Sequence, residues 1–154
     1  MSRAFVKEAD GTEFDELPEL VVSPHRNLVT PEGLALIEAT LSRLEAQLVS
    51  ARTAAEREAV ARIERDLRYW RQRRVSAERV PVDEAPEVVR FGCTVDLVTG
   101  SGERVRFRIV GEDEADPGRG LISWVSPLAE ELLGCSVGDE VRFRDGTAEI
   151  AAIG

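Results

Sequence analysis

The amino-acid sequence predicts an α+β protein, in which a helical hairpin precedes a small antiparallel β domain that carries one short helix. Apolar residues recur at helical spacing in the first half, and apolar and polar residues alternate from Val88 onward. A proline- and acid-containing stretch separates the two patterns. We therefore divide the chain into an extended leader (1–28), a helical finger (29–80), a linker (81–87) and a globular domain (88–154).

Composition limits the class of protein. The 154 residues are 43% hydrophobic and 32% charged, with a net charge of −9, which is typical of a folded globular chain. No apolar run approaches the roughly 20 residues that cross a bilayer. The first ten residues contain no apolar signal-peptide stretch. We expect a cytoplasmic protein without a membrane partner.

The leader is acidic and has no lasting periodicity. Residues 1–29 carry 3 basic and 6 acidic side chains, and Gly11, Pro18 and Pro24 interrupt them. We expect an extended segment that is disordered or loosely docked. Its scattered apolar residues are available to a partner or to the body of the protein.

The finger has the pattern of two helices. Thr30 is a good N-cap, and Pro31 stands at the first helical position. Apolar residues then follow at alternating steps of three and four, first at Leu34, Ile37, Leu41, Leu44 and Leu48 and later at Val60, Ile63, Leu67 and Trp70. Two such short seams favour an antiparallel coiled coil that turns within 49–55. No Gly or Pro marks this turn, so a bent or continuous helix remains an alternative.

The second half of the finger presents an arginine-rich face. Arg62, Arg65 and Arg68 follow one another at steps of three. One interpretation is a solvated face with pairs such as Glu58–Arg62 at i,i+4. The other is a basic face toward nucleic acid or an acidic protein surface. An acidic protein is poorly suited to wrapping free duplex DNA, because neutralised phosphates dominate that affinity.

The globular domain alternates between strands and turns. Strands are predicted over 93–98, 104–110, 121–125, 141–144 and 148–153. Thr99–Gly102 and Asp145–Gly146 have the composition of hairpin turns. Ser126 is placed to cap a short helix over 128–133, with Pro127 at its start and Gly134 at its end. The expected result is a strongly curled antiparallel sheet that holds one helix.

Few residues suggest chemistry of their own. The only histidine, His25, lies in a linker-like stretch, and Cys93 and Cys135 are far apart in the sequence, so neither a histidine-based catalytic site nor a zinc cluster is expected. The acidic run at 112–116 lacks the spacing of a calcium loop, so a solvated loop is favoured over a metal site. Trp124 is either a core residue or an anchor for a partner.

Several short motifs together resemble the Gre transcription elongation factors of bacteria. The matching segments are Val29–Gly33, Val89–Val95, Ile109–Asp116, Ile122–Ser123, Ser126–Ala129, Leu133–Gly134 and Val137–Val141. They occur in the family's order, and only the leader falls outside the resemblance. The resemblance implies a coiled-coil finger followed by a domain of the FK506-binding-protein-like (FKBP-like) fold.

The resemblance also implies a partner, RNA polymerase. In the family, the globular domain docks at the rim of the polymerase secondary channel, which assigns polymerase binding here to Ser126, Pro127 and Trp124. The finger enters the channel, where it meets nascent RNA or DNA only indirectly. The protein would be a monomer without a cofactor, and not an enzyme. Acidic residues at the family's finger tip help to hold Mg²⁺ while the polymerase cuts backtracked RNA.

The sequence departs from the family at that tip. The expected tip, Leu48–Glu58, lacks the Asp and Asn of the family motif, and Glu56 and Glu58 are its only acids. We therefore expect a factor that modulates transcript cleavage without stimulating it. The alternatives are a true cleavage stimulator that uses Glu56 and Glu58 with Mg²⁺, and an adaptor of the type called regulator of nucleoside diphosphate kinase. Prolyl isomerase activity is not expected, since only 5% of the residues are aromatic.

Overall fold

A computed structural model describes residues 17–154, so the first 16 residues of the predicted leader lie outside the described residues. A short 3₁₀ turn spans Pro117–Arg119. The helices and strands, in chain order, are β1 (Leu28–Val29), α1 (Pro31–Thr53), α2 (Arg57–Ser76), β2 (Glu78–Arg79), β3 (Thr94–Thr99), β4 (Arg104–Val110), β5 (Leu121–Ser123), α3 (Pro127–Leu132), β6 (Glu140–Phe143) and β7 (Gly146–Ile153). The predicted α+β class is confirmed.

Helices α1 and α2 form the predicted antiparallel hairpin. Thr30 caps α1, since its Oγ1 accepts a hydrogen bond from the Gly33 amide at 2.9 Å. The 23 residues of α1 span about 35 Å. The chain reverses after Thr53 without glycine or proline, because Ala55 takes a left-handed conformation with φ of 55°. The apolar seam buries Leu44, Ala51, Ile63 and Leu67 between the helices.

Three exposed ion pairs join the two helices along their length. Arg52 contacts Glu64 at 2.7 Å, Arg71 contacts Glu45 at 3.6 Å, and Arg74 contacts Glu38 at 2.9 Å. Each of the six side chains is 40% exposed or more. Exposed pairs of this kind contribute at most about 1 kcal/mol each, so burial of the apolar seam provides most of the stability of the finger.

A two-residue parallel pair closes the base of the finger, which the sequence pattern did not predict. Leu28 and Val29 of β1 pair with Glu78 and Arg79 of β2. Val29 is buried, and its carbonyl accepts the Val80 amide at 3.0 Å. The end of the leader is therefore joined by backbone hydrogen bonds to the chain that leaves α2.

The globular domain is a five-stranded sheet in the order β5-β4-β3-β7-β6. Alternate residues of β3, Val95 and Leu97, point into the core. A register shift between Asp96 and Leu97 interrupts the β3–β7 pairing, and such irregularities increase the bend of a sheet. Helix α3 packs on the sheet through Ala129 and Leu132, both fully buried.

The prediction that every strand pairs antiparallel was wrong at one edge, since β5 runs parallel to β4, with Arg108 opposite Leu121. After β4 the chain passes through the 3₁₀ turn and folds back until it lies beside the middle of β4. From there β5 runs in the same direction as β4. Gly120 makes the return possible. Its φ is +74°, and an added Cβ would lie 2.7 Å from the Arg106 carbonyl oxygen. The sheet is therefore mixed.

Within residues 17–154, neither long helix is apolar enough to cross a membrane.

Candidate functional site

The acidic loop after β4 lies against the base of the finger and is not the solvated loop that the sequence suggested. Its Asp113 side chain is 9% exposed, and its Oδ2 accepts a hydrogen bond from Nε of Arg73 at 2.6 Å. Arg73 itself is 1% exposed, and its Nη2 lies 3.7 Å from Glu112. A buried guanidinium needs such partners, because an unpaired charge in the interior is strongly unfavourable.

Asn27, at the end of the leader, completes this arrangement. Its Oδ1 accepts a hydrogen bond from Nη2 of Arg73 at 2.7 Å, and its Nδ2 donates to the Arg73 carbonyl at 2.7 Å. One amide therefore satisfies both the side chain and the backbone of the same residue, near the end of α2, where backbone carbonyls lose their helical partners. We call the cluster of Asn27, Tyr69, Arg73, Glu112 and Asp113 the base joint.

A third acid of the same loop, Glu114, lies at the start of α1. Thr30 donates its hydroxyl hydrogen to Glu114 at 2.6 Å while the same oxygen accepts from Gly33. A carboxylate at this end of a helix is favoured by the helix dipole. An added Cβ at Gly33 would lie 2.7 Å from the Glu114 carboxylate oxygen, so a larger residue at this position would displace that carboxylate. The loop is thus fixed to both helices of the finger.

Tyr69 gives the base joint a measurable response to alkaline pH. Its hydroxyl donates to Oδ1 of Asp113 at 2.8 Å. Burial and, after it, this carboxylate raise the pKa of Tyr69 to about 12, against roughly 10 in an unfolded chain. Because the folded pKa is the higher one, the contribution of Tyr69 to stability is complete below pH 10 and is lost as the pH rises toward 12.

Tyr69 is the only tyrosine in the chain, so phenolate absorbance reports on it alone. We expect its titration midpoint near pH 12 in the native protein and near pH 10 in urea. Tyr69→Phe removes one hydrogen bond and should lower the free energy of unfolding by about 1 kcal/mol at pH 7, with less effect at pH 12. A native midpoint near 10 would contradict the contact with Asp113.

The candidate residues at the finger tip are both exposed. Glu56 is the N-cap of α2 without a side-chain capping bond, and Glu58 lies in the first turn of that helix. Arg52, which flanks them in the sequence, contacts Glu64 instead. Among residues 17–154 no group of three or more His, Cys, Asp and Glu side chains is arranged to hold a metal ion.

The three arginines of the predicted basic face have different surroundings. Arg65 pairs with Asp66 at 2.8 Å, and Arg68 pairs with Glu19 of the leader at 2.5 Å. Arg62 is exposed and pairs with no acid of residues 17–154, Glu58 included. Two of the three positive charges are therefore balanced within the protein itself.

The three residues assigned to polymerase binding lie together after β5. The Ser126 hydroxyl accepts the Ala129 amide at 3.3 Å and caps α3, while Pro127 is exposed. Trp124 is partly buried and packs against the core of the sheet. The Trp124 ring also packs in an edge-to-face arrangement against the ring of His25 in the leader, with ring centroids 6.2 Å apart. The tryptophan therefore contacts both the core and the leader.

Two solved structures resemble the chain over most of its length. They are the Gfh1 protein of Thermus thermophilus (24% identical, 84% of this chain and 99% of that chain covered, TM-score 0.41) and a GreA/GreB factor from Nitrosomonas europaea (22% identical, 82% and 98% covered, TM-score 0.42).

Sequence comparison assigns the family. Residues 84–153 match the family model described as "Transcription elongation factor, GreA/GreB, C-term". The chain is 42% identical over 135 residues to GreB of Xanthomonas axonopodis pv. citri, covering 73% of this chain and 79% of that protein. It is 41% identical over 90 residues to GreA of Desulfovibrio desulfuricans, covering 57% of this chain and 54% of that protein, or about half of its length. The chain therefore belongs to the GreA/GreB family of transcription elongation factors.

Proposed function

We propose that this protein binds RNA polymerase through its globular domain and places its finger in the secondary channel, where it modulates elongation without stimulating RNA cleavage. Family membership supports the choice of partner. The exposed Pro127 beside the capped start of α3 supports the choice of docking surface. In this role the protein needs no cofactor of its own and acts as a monomer.

The composition of the finger tip carries the second half of the proposal. A Mg²⁺ ion is held by hard oxygen ligands, and a second catalytic metal must be placed close to the attacking water. The tip offers only Glu56 and Glu58, with Arg57 between them in the sequence. A positive side chain next to two exposed carboxylates weakens their attraction for a cation.

RNA shortening in a stalled, backtracked elongation complex tests the proposal. We expect no cleavage above the intrinsic rate of the polymerase when this protein is added alone. When it is mixed with an authentic cleavage factor, we expect inhibition. At tenfold excess and equal affinity, simple competition slows the authentic factor by about tenfold.

The double variant Glu56→Ala/Glu58→Ala separates the two modes of action. If the protein only modulates, the variant inhibits the authentic factor as strongly as the wild type does. Cleavage by the wild type alone, lost in the variant with binding retained, would make it a cleavage stimulator. Failure of the wild type to bind polymerase at all would leave the adaptor function as the better explanation.

A further inference from the structure

The described part of the leader contacts two surfaces for which the sequence left a role in partner binding open. Its Glu19 accepts hydrogen bonds from Arg68, with Nε at 3.0 and 3.1 Å from the two carboxylate oxygens and Nη2 at 2.5 Å from one of them. Its His25 packs against Trp124. Arg68 and Trp124 are 56 positions apart in the chain, yet one short segment contacts both.

The segment is held weakly, and the chain after it is held firmly. Val21 is 90% exposed, and Leu17 and Leu20 are 40% and 38% exposed, so residues 17–25 add little to the core. The Glu19–Arg68 pair is itself more than half exposed on each side. Asn27 is 4% exposed and belongs to the base joint. Residues 17–25, which we call the strap, can therefore leave the surface while the joint stays closed.

We propose that the strap is an intramolecular competitor, which covers the Arg68 and Trp124 surfaces and must be displaced when RNA polymerase binds. The inference rests on the proposed function. The charge of the leader fits this role, because residues 8–19 contain six acidic and no basic side chains. Glu19, at the end of this acidic stretch, offers Arg68 the same carboxylate chemistry as an acidic surface of the polymerase.

The strength of the contacts sets the expected size of the effect. The strap is held on the surface by one exposed ion pair and one edge-to-face ring pair, and these contacts stabilise its docked position only weakly. A binding surface that is open for about one fifth of the time binds its partner about fivefold more weakly than a permanently open one. Opening the strap should therefore tighten polymerase binding by about fivefold.

The full-length double variant Glu19→Gln/His25→Ala tests the proposal, with Glu103→Gln as the matched control. Glu103 forms an exposed ion pair with Arg144, with side chains 50% and 58% exposed, in the turns that follow β3 and β6, and neither side chain pairs with the strap. We expect the double variant to bind purified RNA polymerase about fivefold more tightly and the control to bind like the wild type. The difference in affinity between the double variant and the wild type should decrease at high salt, because salt screens the exposed Glu19–Arg68 pair.

A measurement without polymerase reports on the strap itself. The chain has two tryptophans, so its NMR spectrum has two indole N–H signals. In the double variant we expect the Trp124 signal to shift while that of Trp70 stays in place.

Each other outcome has a distinct meaning. A shifted Trp124 signal with unchanged or weaker polymerase binding would overturn the competitor role, and weaker binding would make the strap part of the interface. An unshifted signal would show that the strap does not cover Trp124. If neither the wild type nor the double variant binds polymerase, the proposed function fails. This inference then fails with it, whatever the NMR spectrum shows.

Discussion

Arg73→Met should lower the free energy of unfolding by about 3–5 kcal/mol, the usual cost of removing one partner of a buried ion pair. Methionine fills a similar volume but leaves the Asp113 carboxylate, 9% exposed, without its guanidinium. It also leaves the buried Asn27 oxygen without the Arg73 donor at 2.7 Å. For a chain of this size the loss corresponds to a fall of roughly 10 °C in Tm. Urea unfolding at neutral pH measures it.

The neighbouring arginine provides the control. Arg74 differs from Arg73 by one position, but it is 47% exposed and pairs with Glu38 on the finger surface. Arg74→Met should cost less than about 1 kcal/mol. Adding Asp113→Asn to Arg73→Met should recover part of the loss, because it removes the unpaired charge. Equal losses at positions 73 and 74 would contradict the buried ion pair of the base joint.

Local signals in the sequence predicted most of the elements. The caps at Thr30 and Ser126 depend on residues at most three positions away, and both hydrogen bonds form as expected. The boundaries of β4 were predicted without error because arginine and apolar residues alternate from Arg104 to Ile109. The turn of the finger was placed only broadly, since Ala55 adopts its left-handed conformation with no glycine to mark it.

Pairings between distant residues were not predictable in the same way. Strand β1 has two residues, which is too short for any periodicity, and its partner lies 50 positions away. The parallel direction of β5 depends on how the loop before it folds back, and its three residues suit either direction equally well. Short elements are specified by their surroundings more than by their own composition.

The base joint was missed for a related reason. Arg73 stands in an arginine-rich run, and the steps of three and four that end at Trp70 continue to Arg74 and not to Arg73. The burial of Arg73 depends on Asp113, 40 positions later. The available signal was weak: Tyr69 and Arg73 share a helix face at i,i+4, and an acidic loop occurs in the other half of the chain. Charge complementarity alone does not identify which arginine of the run contacts the acidic loop.

Gly111→Ala should destabilise the protein by about 3 kcal/mol, the upper end of what extra atoms usually cost in a packed interior. Gly111 begins the acidic loop, and an added Cβ would lie 2.4 Å from the carbonyl oxygen of Leu28. The obstacle is backbone, so no side-chain rotation relieves it. Strand β1 would have to move away, and with it the buried Asn27 and Thr30 on either side.

Gly146→Ala is the matched control, since nothing lies within 4 Å of its added Cβ and its φ is not positive. We expect it to change the free energy of unfolding by no more than about 0.5 kcal/mol. Hydrogen exchange locates the damage: the amides of Glu78 and Val80, which donate to Asn27 and Val29, should lose protection in Gly111→Ala, because both acceptors move with β1. The β3–β7 pairing should keep its protection, since the clash is at the base of the finger. A Gly111→Ala protein as stable as Gly146→Ala would mean that the leader end does not pass over this loop.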